Sequence, residues 1–556
     1  MQAAVTVSDP HRLYYLRNFH QAMTWLAARY ADILRPEETD FIVQFEQLPE
    51  ASRALFVRMV MRKGPLFRTT KLHYDEIGCP ERAVRPLLLQ GWVDPDPVLS
   101  TEELLGLLTR QEIIEAFRPM GLPGRLRKAE MADWLRALEL APRPYTQWWT
   151  QAVDAVWHVR MVPLCERLRA MFFGNLRQQW SEFVLADLGV FRYETVPMDA
   201  SSRPFPSAQA VDHFLALHSC RQALEDGQPP TDLLAQLSAL PPLDDWLGVR
   251  AAKLRFLIGQ VAERQQDWPV ALACYDQSTY PGARYRRLRA LERSGDIGQA
   301  LIEATRAHAC PESEEERQCL DRMMPRLHRR SGQTPARHQR LANAPFTHLA
   351  LPRTQEGISV ERVVQAHLAT DDAPVFYVEN TLVNGLFGLL CWDAIFAGVP
   401  GAFFHPFQSG PADLLSPAFR HRRAELLDDL LGQLQSSAWR DTIRARYESK
   451  HGIYSPFVAW SMLTPELLEL ALTCIAPAHL RAWFERLLDD IKANRTGWPD
   501  LIQFFPNESR YALVEVKGPG DRLQDNQKRW LDFCVRHDMP VQVAYVAWAD
   551  ACTDPA

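Results

Sequence analysis

The sequence predicts a multidomain, mostly α-helical chain that closes in an α/β domain. Three observations carry this reading. The chain has 556 residues, which at about 100–200 residues per domain predicts roughly three to five domains. Between residues 11 and 345 apolar side chains recur mainly at helical spacing. From residue 500 onward the pattern changes to strand, hairpin, strand, helix, strand.

Composition narrows the function classes. Lys and Arg total 62 against 68 Asp and Glu, a net charge of -6, so the chain is no polycation. Any nucleic-acid contact must come from local basic patches. The 10 cysteines are scattered without a Cys-x-x-Cys, which argues against a zinc finger and a disulfide framework and for reduced thiols. The start "MQAAVTVSDPHRLYYLRNF" lacks the apolar run of a signal peptide. No run of about 18 apolar residues suggests a membrane span, so no membrane partner is expected.

Residues 1–97 form the first expected domain. "FHQAMTWLAARYADIL" and "EASRALFVRMVMRKG" read as helices, and "YDEIGCPERAVRPLLLQGWVD" as a helix running into a short strand. Helices followed by a wing are the order of a winged-helix module. Arg58, Arg62, Lys63, Arg68 and Lys71 gather near the end of the second segment, where they could lie along a DNA backbone.

Residues 98–142 form the second. In "STEELLGLLTRQEIIEAFRPMGLPGRLRKAEMADWLRALE", amphipathic helices flank Gly121-Leu122-Pro123-Gly124. This resembles the SAP motif, a small helical module that binds duplex DNA. Arg125, Arg127 and Lys128 fall at the start of its last helix, whose positive dipole end suits phosphate.

Residues 143–345 read as a helical domain. "LRFLIGQVAERQQDWPVALACYDQS" and "YRRLRALERSGDIGQALIEATRA" place Asp267-Trp268 where the second unit has Gly295-Asp296. The pair resembles degenerate tetratricopeptide-like repeats. The stretch 321–353, rich in Arg, His and Pro, reads as the best domain boundary, a basic linker.

The last domain, 346–556, carries the chemistry. "DLIQFF", "RYALVEVKG" and "PVQVAYVAWAD" read as strands, with "PNES" a turn and "DNQKRWLDFCVRHD" a helix. Glu515 and Lys517 are two apart on one strand and point to one face. Asp500 begins the strand antiparallel to it and can approach both. The carbonyl of Val516 can also turn toward a cation. Two carboxylates and an ammonium in one cleft suit a hard divalent ion, Mg²⁺ or Mn²⁺, and phosphodiester hydrolysis, with Lys517 orienting the water. The alternative for Glu-x-Lys by itself is a solvated strand face.

"GWPDL…VEVKGPGDRL…Q" resembles the PD-(D/E)xK restriction-endonuclease-like superfamily, and within it the VRR-NUC domain. "FYVENTLVNGLFGLLCWDAIFAGVPGAF", Gln408, Pro411, Asp413, Leu414 and Arg423 extend the resemblance to the Fanconi-anaemia-associated nuclease family. It implies a catalytic set of Glu379, Asp500, Glu515 and Lys517, with Glu379, Asp500, Glu515 and the Val516 carbonyl as metal ligands. Gln527 would support the site from behind. It implies cleavage of 5′ flaps and branched DNA with 5′-to-3′ exonuclease character, in repair that includes interstrand crosslinks. Lys492 and Arg522 stand at positions resembling the family's 5′-phosphate pocket, while Asn526 replaces a Lys used by some members. The vertebrate ubiquitin-binding zinc finger has no counterpart, which suggests a bacterial member. The expected partner is flapped DNA, with a monomer expected and two copies on DNA as the alternative. The expected location is cytoplasmic at the nucleoid, or nuclear in a eukaryote. A Holliday-junction resolvase and a non-catalytic DNA-binding scaffold are the alternative functions.

Overall fold

The computed structural model describes residues 13–180, 192–243, 245–334, 344–352 and 357–549. It divides into two compact units, the first ending before Phe191 and including Phe205–Asp212, the second holding the rest. Among the described residues no single helix is long and apolar enough to cross a membrane.

The first unit opens with helices Tyr14–Arg29, Pro36–Gln47 and Glu50–Val60. Pro36 occupies the first turn of the second, where its missing N–H costs nothing. Trp92 fixes their packing, its ring centroid 4.8 Å from Phe41 and 5.2 Å from Phe56. A three-stranded sheet follows, with β1 (Leu66–Arg68) and β2 (Val93–Asp94) on either side of a strand contributed from much later in the chain.

Next come β3 (Val98–Leu99) and the helices Thr101–Leu107, Arg110–Phe117 and Lys128–Arg136. Ser100 with Glu103 and Thr109 with Glu112 form capping boxes that start the first two. Gly121 turns the loop at φ 84°, a conformation that strains any side-chain-bearing residue. Strand β4 (Arg143–Pro144) pairs with β3, and β5 (Val156–Val159) is the central strand between β1 and β2. Residues 143–345 are therefore not helical throughout. A four-residue strand whose partners lie more than sixty residues earlier leaves no local signal. Residues 143–180 belong with the first unit.

Arg68 is corrected too. It alternates inward on β1 and is buried, 2.6 Å from Glu112 and 2.8 Å from Asp154. Arg58 likewise pairs with Glu76. The Arg68 guanidinium is closed off from solvent and Arg58 is half-buried, whereas Arg62, Lys63 and Lys71 are exposed. Arg125 and Arg127 are exposed as well, but Arg127 pairs with Glu130 at 3.0 Å and the Lys128 ammonium donates to the Leu108 carbonyl at 2.7 Å.

In the second unit the repeat reading takes shape as antiparallel helices Asp245–Arg264, Trp268–Asp276, Ala283–Ser294, Ile297–Ala309 and Glu314–Arg330. Asp267 and Asp296 do the same work in their two units, each accepting a hydrogen bond from the backbone N–H three residues on, Val270 and Gln299. The stretch 321–353 departs from a plain linker. Its first part is the end of the helix Glu314–Arg330 and its last part is strand β6 (Phe346–Pro352). Residues 335–343 lie outside the described residues. Arg and His composition masked the strand, whose partner is the last strand of the chain.

The α/β portion is a five-stranded sheet in the order β6, β10, β9, β8, β7, where β7 is Val375–Tyr377, β8 Leu501–Phe505, β9 Arg510–Lys517 and β10 Val541–Ala549. Strand β10 runs parallel to β6 and β9; β8 is antiparallel to β9 and to β7. Helix Val360–Leu368 precedes β7, and helix Asp525–Arg536 crosses from β9 to β10. Between β7 and β8 the chain inserts a helical layer, from Leu382–Leu390 to Ile491–Asn494, built around Leu386, Phe387, Trp392, Trp439, Trp483 and Phe484. Asp413 and Arg423 brace this layer in a buried bidentate pair with both contacts at 2.9 Å.

Candidate active site

The hairpin register brings the predicted residues together. Leu501 pairs with Val514, so Asp500, one residue before β8, lies beside the end of β9. Its Oδ2 accepts the Val516 N–H at 2.8 Å. Glu515 and Lys517 flank Val516 on one face, with Lys517 Nζ 2.7 Å from Glu515 Oε1. All three ionisable groups are buried, Asp500 6%, Glu515 0% and Lys517 8% exposed.

The approach to Asp500 is held by aromatic stacking and one asparagine. Trp498 stacks on Trp530 of the crossing helix with ring centroids 3.5 Å apart, and the Trp530 indole N–H donates to the Thr496 carbonyl at 3.2 Å. Asn380 Oδ1 accepts from the N–H groups of Gly497 and Trp498 at 2.9 and 3.3 Å. Gly497 is required here twice over. Its φ is +90°, and a Cβ would lie 2.8 Å from the Asn526 amide nitrogen.

Burial decides the electrostatics. Desolvation is the largest influence on Asp500 and raises it to about 6, against the pull of the Val516 N–H and Lys517 and helped by Glu379 and Glu361. Desolvation also raises Glu515, to about 8, with Asp500 adding to the rise and Lys517 opposing it. Lys517 Nζ, 2.7 Å from Glu515 Oε1, partners that oxygen, while Glu515 Oε2 remains buried without a donor. Such oxygens are costly unless a cation or proton satisfies them.

Glu379 stands at the rim, between β7 and the helix Leu382–Leu390. Its Oε2 accepts from the Tyr377 hydroxyl at 2.5 Å and its Oε1 from Asn380 Nδ2 at 3.1 Å. Among the described residues no three acidic, His or Cys side chains already converge on one cation position. The donor set nonetheless fits a hard divalent ion. It offers only oxygens, one of them, Glu515 Oε2, buried and without a donor, beside one ammonium. Asp500, Glu515 and the Val516 carbonyl would hold it, with Glu379 as a further carboxylate at the rim.

Gln527 departs from expectation. Its Oε1 accepts the Gln524 N–H at 2.8 Å and so caps its own helix. Lys492 lies against the Tyr280 ring, its ammonium 5.4 Å from the centroid, and Arg522 is exposed. Neither belongs to the acid cluster. Sequence reasoning passed over Glu361, whose charge acts on both Asp500 and Tyr377 from the first turn of the helix Val360–Leu368. An acid in the first turn of the helix preceding β7 was the available signal. Asn380 gave a weaker one, since it holds φ 53° where few residues but Asn and Gly sit.

Three family models match. The model described as "FAN1, HTH domain" covers residues 13–94, the Fanconi anemia-associated nuclease SAP domain residues 98–148, and the VRR-NUC domain residues 434–548. The Fanconi-associated nuclease 1 homolog of Pseudomonas aeruginosa is 50% identical over 553 residues, covering 98% of each chain. The homolog of Oryza sativa is 24% identical across 97% of this chain, which spans 63% of that protein's length. A crystal structure described as paFAN1 bound to 2nt 5′flap DNA with gap superposes at a TM-score of 0.88 and 50% identity, covering 98% of this chain and 100% of that one.

Proposed function

The chain belongs to the Fanconi-associated nuclease 1 family, and from that premise we propose that this DNA nuclease cuts 5′ flaps and related branched DNA, using Mg²⁺ or Mn²⁺, in repair that includes interstrand crosslinks. A 5′-to-3′ exonuclease character belongs to the same reading. The observation that carries it is the buried set of Asp500, Glu515 and Lys517 at the mouth of one hairpin. The flap substrate is supported by the solved relative, a crystal structure bound to 2nt 5′ flap DNA with gap.

A bound divalent ion would supply Lewis-acid polarisation of the scissile phosphate and a more acidic water. The chain's own groups prepare for it. Asp500 and Glu515, both raised by burial, lose their protons to hold a cation. The Val516 N–H fixes one Asp500 oxygen and leaves the other for a cation. Lys517, 2.7 Å from Glu515, offsets the paired carboxylates and orients the attacking water against the phosphate. Burial on the sheet limits competing solvent.

The substrate class is tested by offering end-labelled 5′ flaps, 3′ flaps, four-way junctions and linear duplex to one enzyme preparation. Preferred incision of 5′ flaps near the junction is expected. Equal cutting of linear duplex, or preference for the four-way junction, overturns the flap assignment.

A further inference from the structure

We propose that an arginine-lined cavity in the helical repeats, remote in sequence from the acid cluster, binds backbone phosphate of the DNA substrate. The proposal rests on the reading of the protein as a DNA nuclease and adds a second anchoring point for the same strand or duplex arm.

The cavity, about 440 Å³, is lined by Tyr285, Arg289, Glu292 and Arg293 of the helix Ala283–Ser294 and by Arg326 and Arg330 of the helix Glu314–Arg330. Internal pairing accounts for only part of this charge. Glu263 is shared by Arg286 at 3.1 Å, Arg289 at 3.4 Å and Arg293 at 3.5 Å. Glu292 is shared by Arg326 at 3.0 Å and Arg330 at 3.8 Å. The lining itself holds four arginines and one glutamate, and Glu263 with Arg286 stands behind it.

A purely structural role explains the short contacts but not the surplus of arginine in the lining. Arg286 and Arg326 suffice to satisfy the two buried carboxylates, and Tyr275 gives Glu263 a further hydrogen bond at 2.9 Å. Arg293 and Arg330 hold the longest contacts to the carboxylates, Arg330 donating besides to the Glu292 carbonyl at 3.1 Å, and both are about half exposed at the side chain, 52% and 49%. Arginine forks match phosphate oxygens bidentately and are weakly hydrated. Like charges held this close repel within a Debye length of about 8–10 Å, so an anion that enters relieves the repulsion as well as making new bonds. The acidic background of the whole chain, at -6, makes such a local excess a directional cue for a polyanion.

The test compares the full chain with the double variant Arg293→Gln/Arg330→Gln and its charge-keeping partner Arg293→Lys/Arg330→Lys. Binding of a fluorescent 5′-flap duplex is measured by anisotropy in metal-free buffer across a salt series. The Gln pair is expected to lose about tenfold in affinity, with a salt slope shallower by about one to two, since each phosphate contact contributes about 0.9. The Lys pair recovers most of both. Wild-type affinity and slope in the Gln pair overturn the proposal. So does a loss that the Lys pair shares in full with a lowered melting temperature, which marks bracing of the helices. Failure of the wild type itself to bind flap DNA overturns the substrate reading and the pocket with it.

Discussion

The Val516 N–H donates to Asp500 Oδ2 at 2.8 Å, tying the acid that precedes one strand to the residue between the acid and the lysine of the next. This bond sets where the free Asp500 oxygen points, and it makes the hairpin register a condition of the chemistry. A one-residue slip would send Glu515 and Lys517 to the opposite face of the sheet.

Lys517 is buried at the end of β9 with its ammonium on the Glu515 carboxylate. Lys517→Met is expected to lower flap cleavage by about 10²–10⁴-fold, the range for a positioned proton-handling group. Flap binding in metal-free buffer should stay near wild type. Single-turnover cleavage beside a binding isotherm checks this, and a parallel loss of binding would give the lysine a DNA-anchoring role instead.

Glu515 links stability to pH. Its folded value of about 8 lies above the ordinary value of 4.5, so the folded state holds its proton more tightly. The stabilisation is complete below about 4.5 and is lost as pH rises toward about 8. Metal-free protein should therefore melt at progressively lower temperature across that interval than Glu515→Gln does. Added Mg²⁺ should raise the melting temperature more at pH 8 than at pH 6. A metal shift independent of pH would contradict the protonated, buried carboxyl.

Asn380 positions and does not react. Its side chain holds the Gly497 and Trp498 N–H groups and donates to Glu379. Asn380→Gly keeps the left-handed backbone accessible and removes only those bonds. It should cost about 1–3 kcal/mol of stability and slow cleavage about tenfold with little change in the DNA concentration at half-maximal rate. Calorimetry and steady-state kinetics decide, and an unchanged rate would leave Asn380 a loop brace alone.

Arg68 and Arg62 should separate cleanly. Arg68→Ala removes the shared cation of part-buried Glu112 and Asp154, which keep donors in Thr109, Thr70 and Tyr145, and should destabilise the first unit by about 1–3 kcal/mol. Exposed Arg62→Ala should leave melting unchanged and weaken flap binding at low salt. Melting curves beside salt-dependent binding test both, and the reverse pattern would restore Arg68 as a DNA contact.

The contrast between these two arginines shows what the sequence could carry. Strands β8 and β9, the crossing helix and the Asp500, Glu515 and Lys517 set were legible because the hairpin is local and its face periodicity is two. Arg68 was misread because a basic residue near other basic residues looks exposed until β5, some ninety residues away, buries it. Strands β5 and β6 were missed for the same reason, each depending on a distant partner. Gln527 was assigned to the site by nearness in sequence, while its side chain was already committed to the cap of its helix. Glu361 escaped because its one local mark, an acid in the first turn of a helix, also fits an ordinary helix start, and the sheet it faces is completed by strands far along the chain.

The central claim is that the acids at the mouth of β8 and β9 form a metal-dependent nuclease centre. The most direct measurement is cleavage of an end-labelled 5′-flap duplex by wild type and Asp500→Ala, with Mg²⁺, with Mn²⁺ and with a chelator. The account predicts incision by the wild type in either metal, none with the chelator, and none by Asp500→Ala although it still binds the flap. Cleavage by Asp500→Ala at the wild-type rate, or by the wild type with the metal removed, would contradict it.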